Sequence, residues 1–328
     1  MSDSDIKDDV VNIHDLHVEY RTFKGQLKVL NGVNMRVGKK EKIAIVGETG
    51  CGKTTTVKSL LRILASNASI HKGKVFFNGK DVLSMNSEAI RRLRGSGISM
   101  IFQDPTMSLN PVFTIGSQMK AVIMESGYSG AKDKDVQQNL AVLALKETSM
   151  PDPERILQSY PFQLSGGMRQ RVSIAMSLAT PRDLVIADEP TTNLDVTIQD
   201  QVLKILNERV ENKGSSLILI THSLGVAREI SDRIYIMYAG NMVETAPTEQ
   251  IFTKQLHPYT KALMGCIPRL SGGGVTEGIP GRIPNYLAPP KGCRYALRCP
   301  GATTRCIEEK PEYMSMGNGH NVACFLYC

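Results

Sequence analysis

Gly47-Glu48-Thr49-Gly50-Cys51-Gly52-Lys53-Thr54 follows directly on the apolar run Lys42–Val46 and opens a helix-forming segment, Thr54–Leu64. The octapeptide fits G-x-x-x-x-G-K-[ST] and stands between a strand and a helix, the setting this pattern requires. Its glycines let successive backbone N–H groups turn inward around phosphates, at the positive end of the helix that follows. In such a loop the Lys53 ammonium reaches the β- and γ-phosphates and the Thr54 hydroxyl ligates Mg²⁺. Cys51 reads as a small loop residue rather than a redox switch. A bound nucleoside triphosphate is the first expectation.

The apolar run Leu184–Ala187 ends in Asp188-Glu189-Pro190. A strand ending in Asp places that carboxylate beside the Mg²⁺ site, and Glu189, one residue on, is positioned to take a proton from an attacking water. Working outward, alternation or short apolar runs predict strands at Ile13–Tyr20, Asn34–Val37, Lys74–Asn78, Ser99–Phe102 and Ser216–Ile220. A strand pair is predicted at Arg233–Tyr238 and Asn241–Glu244, around the turn Ala239-Gly240. Helical patterning runs from Met107 to Ser165, clearest over Val136–Glu147, and recurs at Ile198–Glu211. The expected class is α/β, a P-loop NTPase core with a mostly parallel sheet, an antiparallel β edge and a helical subdomain at about 104–180. Past residue 264 the composition changes: Ser271–Gly274 reads as a linker, and the Pro/Gly run from Ile279 to Pro290 forbids regular structure. The expected domains are 1–264 and a small Cys-rich module at 265–328.

With 328 residues the chain can bury one large core and carry a small extra module. Its 41% hydrophobic residues include no run long enough to span a bilayer. The acidic start MSDSDIKDD lacks the basic and apolar regions of a secretory signal, so a cytoplasmic location is expected. A net charge of +7 suits a nucleic-acid partner or an anionic membrane, or simply a solvated surface, since no dense basic run is present. Of seven cysteines, Cys293, Cys299, Cys306, Cys324 and Cys328 crowd the last stretch, which in a cytoplasmic chain points to a metal or cluster before disulfides.

Leu164-Ser165-Gly166-Gly167-Met168-Arg169-Gln170-Arg171 resembles the signature motif of ABC ATPases. In that resemblance Gln103 corresponds to the Q-loop, Asn193-Leu194-Asp195 to the D-loop, His222 to the switch histidine, and Tyr20 to the aromatic that stacks on adenine. The likeness covers roughly residues 11–265. It implies ATP and Mg²⁺ as ligands, with Thr54, Gln103 and Asp188 at the metal. Glu189, His222, Gln103 and Lys53 are the implied catalytic set. The nucleotide site would be built from Tyr20, Gly47–Thr55, Ser165, Gly166, Gly167 and Asp195, where Glu48, Thr49, Gly50, Cys51, Gly52 and Thr55 complete the loop. Ser165 and Gly167 of one subunit would contact the γ-phosphate held by a partner, so the ligand glues a dimer that hydrolysis releases.

Phe102–Pro105 running on to Ser108–Pro111, the segment Leu256-His257-Pro258-Tyr259-Thr260 and the Cys-rich tail resemble the ATPase subunits of dipeptide and oligopeptide importers. This resemblance implies a peripheral protein on the cytoplasmic face of the membrane, with a second homologous ATPase, two integral-membrane permeases and an extracytoplasmic solute-binding protein as partners. Importers of nickel or oligosaccharides are the alternative. A non-transport ABC ATPase acting on nucleic acid or ribosomes is the remote one, disfavoured because Trp is absent and aromatics are 5%. In the importer tail four cysteines hold a [4Fe–4S] cluster, which implies Cys293, Cys299, Cys306 and Cys324 as ligands, with Arg294, Arg298 and Arg305 offsetting its charge. Zinc on the same thiolates and unliganded thiols in a flexible tail are the alternatives, and Cys328 is one more than the set needs, free at the chain end or in place of Cys324.

Overall fold

The structure is a computed structural model that describes residues 9–192, 194–266 and 278–328. The first eight residues, Asn193 and the linker Ser271–Gly274 lie outside the described residues. The chain divides into two compact units. One gathers Met1–Val37, Lys42–Leu83 and Ile220–Cys328; the other comprises Gly38–Glu41 and Ser84–Leu219.

The first unit carries an antiparallel sheet of β1 (Asp9–Thr22), β2 (Gly25–Gly38), β4 (Ala68–Phe77) and β5 (Lys80–Asp81), in the order β2-β1-β4-β5. β1 and β2 extend well beyond the alternating segments read from sequence. Lys28, Asn31 and Asn34 keep the outer half of β2 polar, and its backbone ladder, which composition does not report, carries the strand. The unit's second sheet runs β11 (Met314–Ser315), β12 (Asn321–Val322), β10 (Asn241–Pro247), β9 (Arg233–Tyr238), β3 (Lys42–Val46). β3 pairs with β9 in parallel, from Ile43 opposite Arg233 to Val46 opposite Ile236. Ile43, Ala44, Ile45 and Val46 are fully buried, as expected of a strand covered on both faces.

β9 turns into antiparallel β10 through Ala239 and Gly240, both with positive φ (44° and 79°). Positive φ at both central residues is the hairpin geometry whose twist matches the flanking strands. Gly240 is also pressed between two neighbours. Its N–H donates to Cys51 O at 2.7 Å, its carbonyl accepts from Asn31 N at 2.9 Å, and a Cβ there would lie 1.8 Å from Val29 O.

The chain beyond residue 278 does not hang free of this unit. β12 extends the sheet against β10, with Val322 opposite Glu244, and β11 pairs with β12. Glu244, wholly buried, accepts from Leu256 N (2.8 Å), His257 N (2.9 Å) and His320 Nε2 (2.7 Å). A buried carboxylate is tolerable only when its lone pairs are filled in this way. Burial also pushes His257 down to about 3, and its neutral Nδ1 accepts from Tyr259 N at 3.0 Å, opening the helix Pro258–Gly265.

The second unit holds the parallel strands β6 (Ile98–Ile101) and β7 (Leu184–Asp188) and the start of β8 (Ser216–Thr221), in the order β6-β7-β8. Its helices are Ser87–Arg92, Ile115–Met124, Lys134–Glu147, Pro153–Gln158, Gly166–Ser177 and Val196–Lys213, with short helical turns at Leu93–Gly97, Pro105–Ser108 and Pro161–Gln163. The helical stretch from Met107 to Ser165 is divided into several helices, where Thr114, Asp133 and Asp152 cap new starts. Ile115, Met119, Ile123, Leu145, Leu157 and Val172 meet in one apolar cluster. None of the described helices is long and apolar enough to cross a membrane.

Gly240→Ala forces both a positive φ and a collision with the Val29 carbonyl, and a loss of about 3 kcal/mol is expected. Gly79→Ala, at φ 73° with open space around the new methyl, should cost only about 1 kcal/mol. Urea unfolding of the two variants measures the gap; equal losses would show that the Val29 contact does not matter.

Candidate functional site

In the first unit, the loop Gly47–Gly52 leaves the C-terminal end of β3 and leads into the helix Lys53–Leu61. Gly47 is required by space, since a Cβ would lie 2.1 Å from Met237 O of the neighbouring strand. Gly50 and Gly52 take φ 79° and 109°, which side-chain-bearing residues resist. Lys53 is 4% exposed, and its Nζ donates to Gly47 O at 2.8 Å and Glu48 O at 3.3 Å. The ammonium thus lies folded over the loop. Thr54 and Thr55 stand half-buried at the first turn of the helix, and Tyr20 OH lies 3.5 Å from Thr55 Oγ1. Cys51 is buried, and burial pushes its thiol up to about 11, so it is an inert thiol within the loop. Thr49 and Gly50 are exposed at the loop's outer edge. His222 is exposed just after β8, beside Ser223, whose hydroxyl caps the helix Leu224–Ile230.

In the second unit, β6 and β7 pair in parallel with Ile101 opposite Ala187. The register brings the residues that follow each strand together. Gln103 Nε2 donates to Glu189 Oε2 at 3.0 Å, and Thr192 Oγ1 donates to the same oxygen at 3.2 Å. Asp188 is 4% exposed at the end of β7. Glu189 has φ 46°, a left-handed conformation that a glutamate adopts at some cost, of the kind that gathers at functional sites. Ser165 caps the helix Gly166–Ser177, its Oγ accepting from Met168 N at 3.3 Å, and Ser165 and Gly166 are exposed. A methyl on Gly166 would meet nothing within 4 Å, whereas one on Gly167 would press on Ile198 at 3.2 Å. Asp195 caps Val196–Lys213 through Ile198 N at 3.0 Å.

The loop has outer supports that the sequence did not announce. Glu48 N donates to Tyr259 OH at 3.1 Å, and Tyr286 OH donates to Gly50 O at 2.9 Å. Arg298 Nη1 lies 2.9 Å and 3.1 Å from the two Glu48 carboxylate oxygens. Tyr238, Tyr259 and Tyr295 pack as an aromatic cluster, with ring centroids 4.6–5.4 Å apart. Tyr259 and Arg298 carried a sequence signal, the first through resemblance and the second as a counter-charge for a cluster, but neither for contact with the loop.

The expected [4Fe–4S] cluster, and zinc as its alternative, must be corrected. Cys293, Cys299, Cys306 and Cys324 do line one cavity, of about 140 Å³. Among the described residues, however, no group of three or more His, Cys, Asp or Glu side chains is arranged to hold a metal ion. The arginines expected to balance a cluster are engaged elsewhere. Arg294 donates to Ala239 O and Lys28 O, Arg298 to Glu48, and Arg305 pairs with Glu309 at 3.0 Å. Contacts of Arg298 and Tyr286 with the phosphate loop, and of β12 with β10, hold this segment in place.

Residues 30–192 match the family described as ABC transporter, and residues 243–306 match the C-terminal region of oligopeptide/dipeptide transporters. The dipeptide transport ATP-binding protein DppD of Bacillus subtilis is 41% identical over 321 residues, covering 97% of this chain and 94% of that protein. The oligopeptide transport ATP-binding protein OppD of the same organism is 38% identical, covering 97% and 88%. A solved dimeric ATP-binding cassette in a post-hydrolysis state, bound to ADP and phosphate, superposes with a TM-score of 0.65 at 24% identity, covering 73% of this chain and 98% of that one, a likeness of fold. Similarity at this level along nearly the whole chain is decisive: the protein belongs to the ABC transporter family, among the ATP-binding proteins of dipeptide and oligopeptide transport.

Proposed function

We propose that this chain is the ATP-hydrolysing subunit of an importer of dipeptides or oligopeptides, working at the cytoplasmic face of the membrane. The observation that carries the reading is the match to peptide-transport relatives over nearly the whole chain, including the 243–306 region particular to them. Gly47–Thr55 would wrap the phosphates, Lys53 turning from its own loop carbonyls to the triphosphate, and Tyr20 would carry the adenine. Thr54, Asp188 and Gln103 supply a hydroxyl, a buried carboxylate and an amide oxygen, donors that suit a hard cation such as Mg²⁺. When bound, that ion neutralises charge on the phosphates. Glu189 takes the proton of the attacking water, Gln103 and Thr192 hold its carboxylate in place, and His222 steadies the γ-phosphate side.

Ser165, Gly166 and Gly167 form the N-terminus of a 12-residue helix, with Ser165 and Gly166 exposed. In this reading they complete the nucleotide site of a second, homologous ATPase, and Asp195 lies at that interface. The assembly then includes two permeases and a solute-binding protein outside the membrane.

Glu189→Gln should leave ATP binding intact and reduce kcat by about 10²–10³-fold, because an amide cannot take the proton. The rate of phosphate release by the assembled transporter tests this, and a normal rate removes Glu189 from the role. Lys53→Ala should weaken ATP binding roughly 10–100-fold through loss of a charged hydrogen bond, as read by nucleotide titration. The subunit on its own should turn over slowly and speed up when the second ATPase and the permeases are added. Fast hydrolysis by a proven monomer would sink the shared-site reading.

A further inference from the structure

Arg298 is almost completely buried, its side chain 4% exposed, and it reaches a partner 250 residues earlier in the chain. Its Nη1 contacts both oxygens of Glu48 and the Tyr238 hydroxyl at 3.2 Å, while Nε and Nη2 donate to Pro280 O and Ile279 O at 2.8 Å and 2.9 Å. The guanidinium is therefore locked to its own segment on one side and to the phosphate loop on the other. Tyr286 fastens the same segment to the loop a second time, through Gly50 O, and receives the Arg294 guanidinium 5.6 Å from its ring.

Glu48 is the second residue of the phosphate loop, and its carboxylate is partly exposed, at 27%. An uncompensated carboxylate there repels a triphosphate, whereas a buried cation held against it offsets that repulsion. The geometry points to Arg298 as a positioning residue for nucleotide, and to residues 279–298 as the element that sets how well the loop binds phosphate. The inference rests on the ATP-binding reading above and adds a role that lies outside the signature motifs. Because coupling is reciprocal, nucleotide on the loop must in turn tighten the attachment of residues 279–298.

The test is the dissociation constant for ATP of the full chain, by calorimetric titration, with kcat and KM of the assembled transporter and the melting temperature recorded for each variant. Arg298→Ala should weaken ATP binding about tenfold and raise KM more than it lowers kcat. Arg298→Lys should recover part of the affinity, by keeping the charge without the guanidinium's bonds to Pro280 O and Ile279 O. Adding Glu48→Gln to Arg298→Ala should recover most of it, since the bare carboxylate is then gone. A purely structural arginine would not respond to removal of a charge on the loop. Wild-type affinity in Arg298→Ala, or a double variant no tighter than Arg298→Ala, overturns the inference. Should Arg298→Ala fail to fold, Arg298→Lys decides: unchanged affinity overturns the inference, and a rise in dissociation constant at unchanged melting temperature supports it. Failure of the wild type to bind ATP would sink the ATPase reading itself and is told apart by the wild-type titration.

Discussion

A carboxylate with no exposure to water has to find its hydrogen bonds inside the protein, and Glu244 imposes that condition on the first unit. Its oxygens are filled by the backbone of Leu256 and His257 and by the ring of His320. The first two contacts fix where the chain turns into the helix Pro258–Gly265, and hence where Tyr259 stands to receive Glu48 N. The third holds the segment that carries β11 and β12 to the sheet edge. One buried acid thus sets the path of the C-terminal segment and, through Tyr259, one wall of the phosphate loop. Removing a partner would leave a charge stranded in apolar surroundings, which is far costlier than losing an exposed pair.

What the sequence revealed was local. The phosphate loop, the strand ending in Asp188 and the hairpin at Ala239-Gly240 each announce themselves within ten residues, because glycine positions and apolar runs answer to short-range sterics and burial. Helix starts were legible to within a few residues, as at Lys134 and Val196, since Asp133 and Asp195 cap them through their own side chains. The outer reach of β2 was not legible, because its polar residues look like loop and only the ladder reveals the strand. The Arg298–Glu48 pair was further out of reach, since no pattern connects positions so far apart. The cysteines misled for a related reason: crowding in sequence promised a ligand set, but among the described residues no such group is arranged to hold a metal ion, and the neighbouring arginines bind backbone, Glu48 and Glu309.

The strained backbone at Glu189 has a different origin from the strain at Ala239. At Ala239 the tight turn demands positive φ, and the hairpin that follows compensates. Glu189 lies between a buried strand and Pro190, with Gln103 and Thr192 gripping its carboxylate. The strand, the proline and the two donors leave that side chain little freedom to relax, so the backbone absorbs the cost.

The distance along the chain between Glu48 and Arg298 also has a meaning in time. The second unit is nearly continuous in sequence, whereas the first draws on the chain before residue 84 and after residue 219. At a translation rate of about 5–20 residues per second, a ribosome delivers Arg298 roughly 10–50 s after Glu48. Until then the glycine-rich motif is complete in sequence but lacks Tyr259, Tyr286 and Arg298. A chain that ends before residue 298 therefore presents the motif without the Arg298 contact to Glu48.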